Sequence, residues 1–161
     1  MNIFCVDEDP INAAKSLCNK HVVKMIVESA QLLCNAHIPG SAPYRHTHTH
    51  HPCSLWTSAS IQNYEWLCLH ALTLCEEYTK RYEKRHKTED IVLWCAENVP
   101  VWIPNIGLTP FARAIKEPYK TQSRDMDVIS AYRHYYIHDK MRFASWSPRA
   151  IAPSWWPVTG S

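Results

Sequence analysis

Apolar residues recur at three- and four-residue steps through Cys18, Val22, Met25, Ile26, Ser29, Leu33 and Ala36. That period predicts an amphipathic helix. Asp9-Pro10 supplies an N-cap followed by proline at the first helical position, and no glycine or proline follows until Pro39. One helix of about seven turns over Asp9–Ala36 is therefore expected. Its polar stripe holds Lys20, Lys24, Glu28 and Gln31, with His21 on the shoulder. The plain reading of that stripe is a solvated face carrying an i, i+4 pair between Lys24 and Glu28. The functional reading is an anion-binding and acid/base face that looks into a cleft.

The same period predicts a second long helix from Ser54 to about Lys84. Leu55, Ile61, Tyr64, Leu67, Cys68, Ala71, Leu74, Cys75, Tyr78 and Tyr82 form its buried side. Its basic end, Lys80, Arg81, Lys84, Arg85 and Lys87, reads as a solvated terminus that complements the helix dipole. Thr88 caps a third helix running to about Asn98, and Asp125–Lys140 is the last. Between them Val99–Thr121 is a proline-rich connector with a helical turn at Pro110–Ile115. Residues 141–161 lack helical periodicity but are rich in tryptophan, so this tail is expected to wrap across the helices. The fold expected is mainly α: a single-domain helical bundle over 1–161 with two long helices, shorter helices and an irregular Pro/Trp-rich C-terminal tail.

Composition changes this picture only in places. At 161 residues the chain is long enough for one core, and its net charge of +2 is too small to prove a nucleic-acid partner. No signal-peptide pattern, apolar run of membrane-spanning length or lipidation motif is read, so no membrane partner is expected. Seven cysteines without a C-x-x-C pair read as reduced, buried thiols of a cytosolic protein. Three glycines and no phosphate-loop or dinucleotide fingerprint argue against a nucleotide cofactor. The loop His37–Cys53 gathers Arg45, His46, His48, His50 and His51. Alternate spacing suits an extended segment better than a tetrahedral metal site, so acid/base or anion contact is preferred and no metal is expected.

Four stretches then match a pattern: Asn19–Leu33, Thr47–Trp56, Asn63–Leu67 and Ala131–Trp155. Together they resemble a family of small all-helical proteins of tailed bacteriophages, similar to the amino acid:DNA transferases of thymidine hypermodification. The resemblance implies transfer of a free amino acid, such as glycine, onto activated (phosphorylated) 5-hydroxymethyluracil in DNA, in the cytoplasm of the infected bacterial host, with no cofactor. Its implied partners are DNA carrying the activated pyrimidine and the free amino acid. Glu28, His48 and His51 are the implied bases, and Lys20 and Lys24 bind leaving phosphate or carboxylate. Arg133, Lys140 and Arg149 contact phosphate, and Trp146 or Trp155 stacks on a base. Gln31, Asn63 and His21 complete the substrate-binding set, although Gln31 and Asn63 read equally well as buried amides that satisfy backbone. The alternatives are a helical DNA N-glycosylase using Glu28 or a lysine against C1′ of a flipped nucleotide, a metal-dependent nuclease built on the histidine loop, and a non-catalytic phage protein that binds nucleic acid or a host factor.

Overall fold

In a computed structural model, residues 1–157 are described, and all regular structure among them is helical. The helices are α1 (Pro10–Ser16), α2 (Asn19–Asn35), α3 (Pro52–Ala59), α4 (Ile61–Tyr82), α5 (Glu89–Glu97), α6 (Tyr119–Gln122) and α7 (Val128–Lys140). The central pair is α2 on α4, with α1 also against α4 and α5 bridging both. One continuous core joins them to the N-terminal segment, α7 and the tail, and the mainly-α expectation holds.

Both predicted long helices are broken, for different reasons. Asp9 does cap α1, its carboxylate accepting from the Ile11 N–H, but the helix stops at Ser16 and restarts at Asn19. The freed backbone groups are met by side chains distant in sequence. Arg81 donates to Leu17 O (2.6 Å) and Lys15 O (3.0 Å), and Trp146 Nε1–H donates to Ser16 O (3.0 Å). The Cys18 N–H donates to Tyr136 Oη, and the Asn19 N–H to Ser145 O. With those partners in place, an unwound joint costs little. Arg81 is accordingly buried against Glu77 at 2.9 Å and is not part of a solvated basic terminus. The second break is local: Ser60 turns extended, and its hydroxyl accepts from the Asn63 N–H as the cap of α4.

The third and last helices match expectation closely, with Thr88 and Asp127 at their N-caps. Only Asp127 makes a side-chain cap bond; the Thr88 hydroxyl is instead paired with Tyr44 Oη at 3.0 Å. The expected turn at Pro110–Ile115 is absent. Those residues have no regular structure and are strapped down at either end, the Thr109 N–H by Asn63 Oδ1 and the Ala114 N–H by Tyr132 Oη. The short α6 follows instead. The tail does wrap: Trp146 is buried, and Trp155 and Trp156 lie edge-on to Tyr136. Its end, residues 158–161, lies outside the described residues. All seven cysteines are buried and free.

Candidate active site

The site begins with the first six residues, which cross the polar side of α2. Asn2 folds this segment: its Oδ1 accepts from the Ile3 and Phe4 N–H groups, and its Nδ2 donates to Ala114 O at 2.7 Å. Phe4 takes φ +60, a left-handed backbone that costs a non-glycine residue about 1–2 kcal/mol. Its ring then stacks on His21 at 4.7 Å. The consequence is the position of Met1, whose side chain is only 4 % exposed.

Here the Glu28 carboxylate meets the start of the chain. Glu28 Oε1 lies 3.4 Å from the Met1 α-ammonium and accepts the Asn2 N–H at 3.0 Å. Glu28 Oε2 is buried without a hydrogen-bond partner; Lys24 Nζ approaches it at 3.8 Å. Glu28 is therefore buried beneath the N-terminal segment, and the solvated-face reading of the stripe fails at this residue. The exposed Lys24 is its outward neighbour.

His51 closes one side. Its Nδ1 accepts the Cys53 N–H at 3.0 Å and so caps α3, which leaves the neutral ring's proton on Nε2. Burial, then the nearby α-ammonium, lowers its pKa, while Glu28 pulls the other way. A ring so bonded offers an N–H donor and no free base. On the other side lies a second charged group. Lys140 is over the Phe4 and Tyr135 rings at 5.4 and 5.1 Å and pairs with Asp139 at 2.6 Å; Lys116 reaches the same carboxylate at 3.4 Å. Burial works to raise the Asp139 pKa, but the two lysines hold it below the usual carboxylate value. His21 is pushed down to about 3 by burial, then by Lys140 and Lys24. It is a buried neutral ring, not a surface contact.

The structure brings together Lys24, Glu28, His51, His21 and Lys140, with Lys20 exposed at one end over Phe143 at 5.1 Å. Gln31, half-buried one turn beyond Glu28, edges a hollow of about 430 Å³ with Val27, Tyr44, Arg45, His46 and Thr47. His48 is exposed at φ +53, its Nδ1 paired with Thr47 Oγ1. Four expected contacts are placed elsewhere. Asn63 is fully buried and spends its amide on Trp56 O and Thr109. Trp146 is buried at the α1–α2 joint. Arg149 pairs with Glu83 at 2.8 Å in a groove shared with Lys15 and Lys80. Arg133 braces the N-terminal segment through Val6 O and Asp7. Among the described residues no three His, Cys, Asp or Glu side chains converge as metal ligands. Met1, Asn2, Phe4, Lys116 and Asp139 were not expected in the site. The single polar residue in an otherwise apolar entry, Asn2, is the one signal that marked it.

The model of the family described as pyrimidine dimer DNA glycosylase matches residues 1–90, which include Met1, Asn2, Lys24, Glu28 and His51. Neither curated proteins nor solved structures yield a significant match. The family finding overturns the expected transfer of an amino acid to 5-hydroxymethyluracil, the transferase class and the free amino acid as a partner, and it favours the alternative of a helical DNA N-glycosylase. The physical reason agrees: an amine already sits on the carboxylate, in the place a second, free amine would need. With more than half of its length matched, the chain belongs to the pyrimidine dimer DNA glycosylase family.

Proposed function

We propose that the protein is a DNA N-glycosylase that excises pyrimidine dimers through an amine nucleophile held by Glu28. One observation carries this reading: the α-amine of Met1 lies 3.4 Å from a buried carboxylate whose second oxygen has no hydrogen-bond partner among the described residues. The backbone nitrogen of Asn2 lies on the same oxygen at 3.0 Å, so either of the first two nitrogens, as a chain start, meets Glu28. As a class, α-amines lose their proton nearer neutrality than lysine side chains do.

The steps follow from that pairing. Glu28 takes a proton from the ammonium, and the nitrogen lone pair attacks C1′ of the damaged nucleotide. The C1′–pyrimidine bond breaks with its electrons leaving on the base, which takes up a proton. Opening of the sugar at C1′–O4′ then leaves an imine between C1′ and the amine. As the ring opens, Glu28 returns its proton to O4′, and the carboxylate so restored faces the protonated imine in a dry site, where electrostatics count most. Lys20, Lys24 and Lys140 stand along one side of α2 to hold phosphates, and the His51 Nε2–H can donate to a phosphate or the departing base.

The test uses duplex DNA with one thymine dimer and borohydride, which reduces the imine to a stable secondary amine. A trapped complex with the DNA on the N-terminal peptide supports the reading, and one added residue before Met1 should abolish it. An adduct on Lys24 would move the nucleophile to that side chain. Cleavage of the C1′–pyrimidine bond without any adduct refutes the amine mechanism, and DNA binding without that cleavage refutes the enzyme.

A further inference from the structure

Beyond the matched segment, residues 94–102 fold back over the end of α2 and build a second cleft. It has a volume of about 260 Å³ and is lined by His37, Ser41, Trp94, Asn98, Val99 and Trp102. His37 is its floor, 5 % exposed, with its ring 4.9 Å from Trp94 and 5.9 Å from Trp102. The ring's proton can be placed. Tyr64 Oη donates its hydrogen to Cys95 O at 2.7 Å, so it must accept at 2.8 Å from His37 Nε2–H. Burial, then His46, lowers the His37 pKa, which favours this neutral form. His37 Nδ1 is then an acceptor that no donor among the described residues meets. Trp102 is 55 % exposed, far more than an indole needs for packing alone.

We infer that this cleft binds an unstacked nucleobase of the DNA on which the Glu28 site acts. The inference rests on the glycosylase reading for its choice of DNA as the source. Two indoles line the cleft and offer aromatic surface on which a base can stack, and the floor acceptor suits the N–H that every base carries on its pairing edge. The cleft is also continuous with the candidate DNA-binding side. The loop after α2 carries Arg45, His46 and Thr47 on the hollow beside Gln31, and His37 and Ser41 on the cleft. His46 Nε2–H donates to His37 O at 2.8 Å and ties the two together. A base inside a duplex stack cannot enter, so the occupant must be a base displaced by damage, bending or a strand end.

The test is a binding cycle. Dimer-containing duplexes are made with one nucleotide at a time, one to about eight positions from the dimer on either strand, replaced by a stable abasic residue. Each is titrated with the unmodified protein and with Trp102→Ala, an exposed position whose truncation spares the core. Trp102→Ala should weaken binding about 5- to 150-fold, and Trp102→Phe should restore most of it. One abasic position should weaken the unmodified protein by a similar factor and leave Trp102→Ala unaffected. If no position couples to Trp102, the inference falls. It falls equally if sedimentation shows that Trp102→Ala converts a dimer to a monomer, because the cleft is then a self-association surface. Borohydride trapping with the unmodified protein separates the two ideas: trapping without coupling overturns only the cleft, and coupling without trapping overturns only the amine mechanism.

Discussion

Replacing Glu28 with Gln isolates what the carboxylate does. The amide is nearly isosteric, and its Oε1 can still accept the Asn2 N–H, so the N-terminal segment keeps its main tether. The charge is what disappears. At 3.4 Å, and with an effective dielectric constant near 20, the attraction between Glu28 and the Met1 ammonium is about 5 kcal/mol before desolvation offsets much of it. The remainder is comparable to the ~2.7–4 kcal/mol lost when one preorganised electrostatic group is removed from a transition state. Glu28→Gln should therefore slow formation of the trapped adduct by about 100- to 1,000-fold in single-turnover reactions. DNA binding should hold within about threefold or tighten, because a negative charge has left a surface that faces phosphate. Both are read on one substrate, by quenched borohydride trapping and by fluorescence anisotropy. A variant that traps at near-normal rates would refute the role of Glu28. A variant that merely fails to bind would make Glu28 a positioning group for the N-terminal segment.

Other outcomes follow from the same contacts. Lys24→Gln, at a side chain 70 % exposed, should weaken DNA binding uniformly across sequences and reduce the salt slope of log K by about 0.9, measured by titration at several salt concentrations. Arg81→Leu should cost about 3–5 kcal/mol in urea denaturation, because Glu77 stays buried without a partner, and adding Glu77→Leu should recover part of the loss. Acid should destabilise the fold. His21 and His70 are held at about 3 and about 4, chiefly by burial, against 6.5 for an unfolded histidine. The unfolded chain thus binds more protons between those values, so stability falls as pH drops below 6.5, by about 2 kcal/mol per ring at pH 5. Equal urea midpoints at pH 7 and pH 5 would show that the two rings take up protons in the folded state.

Much of the helical frame was legible because its signals are local. The Asp9 cap, the period through α2 and the Thr88 start of the third helix all act within a turn, whereas the last helix starts at the Asp127 cap, two residues after the expected Asp125. The break at Leu17 was not legible, because every group that satisfies it comes from residues 81, 136, 145 and 146. The same holds for Pro110–Ile115, where Asn63 and Tyr132 outbid the local preference for a turn. In the site, Lys24 and Glu28 were visible as a stripe. Burial of Glu28 was not, since the residues that cover it are 26 positions or more away. Asn63 and Trp146 show the converse: polar or aromatic residues singled out for substrate are spent inside the fold. The resemblance misassigned the function, while the alternative beside it named Glu28 or a lysine against C1′; the structure instead pairs Glu28 with the α-amine of Met1.

That pairing explains why so much unusual structure gathers at the start of the chain. An ammonium and a carboxylate taken out of water repel burial unless the surroundings hold them in register. Here the surroundings do so several times over: Asn2 folds the segment on itself, Phe4 accepts a left-handed backbone to stack on His21, and His21 stays neutral between two lysines. Among the described residues, two buried polar atoms remain without hydrogen-bond partners in this one region, His21 Nδ1 and Glu28 Oε2. A purely structural entry strand would be expected to shed such costs through apolar substitution. Strain and orphaned polarity concentrated around one amine–carboxylate contact are what a site needs if its nucleophile must be fixed in place before a substrate arrives.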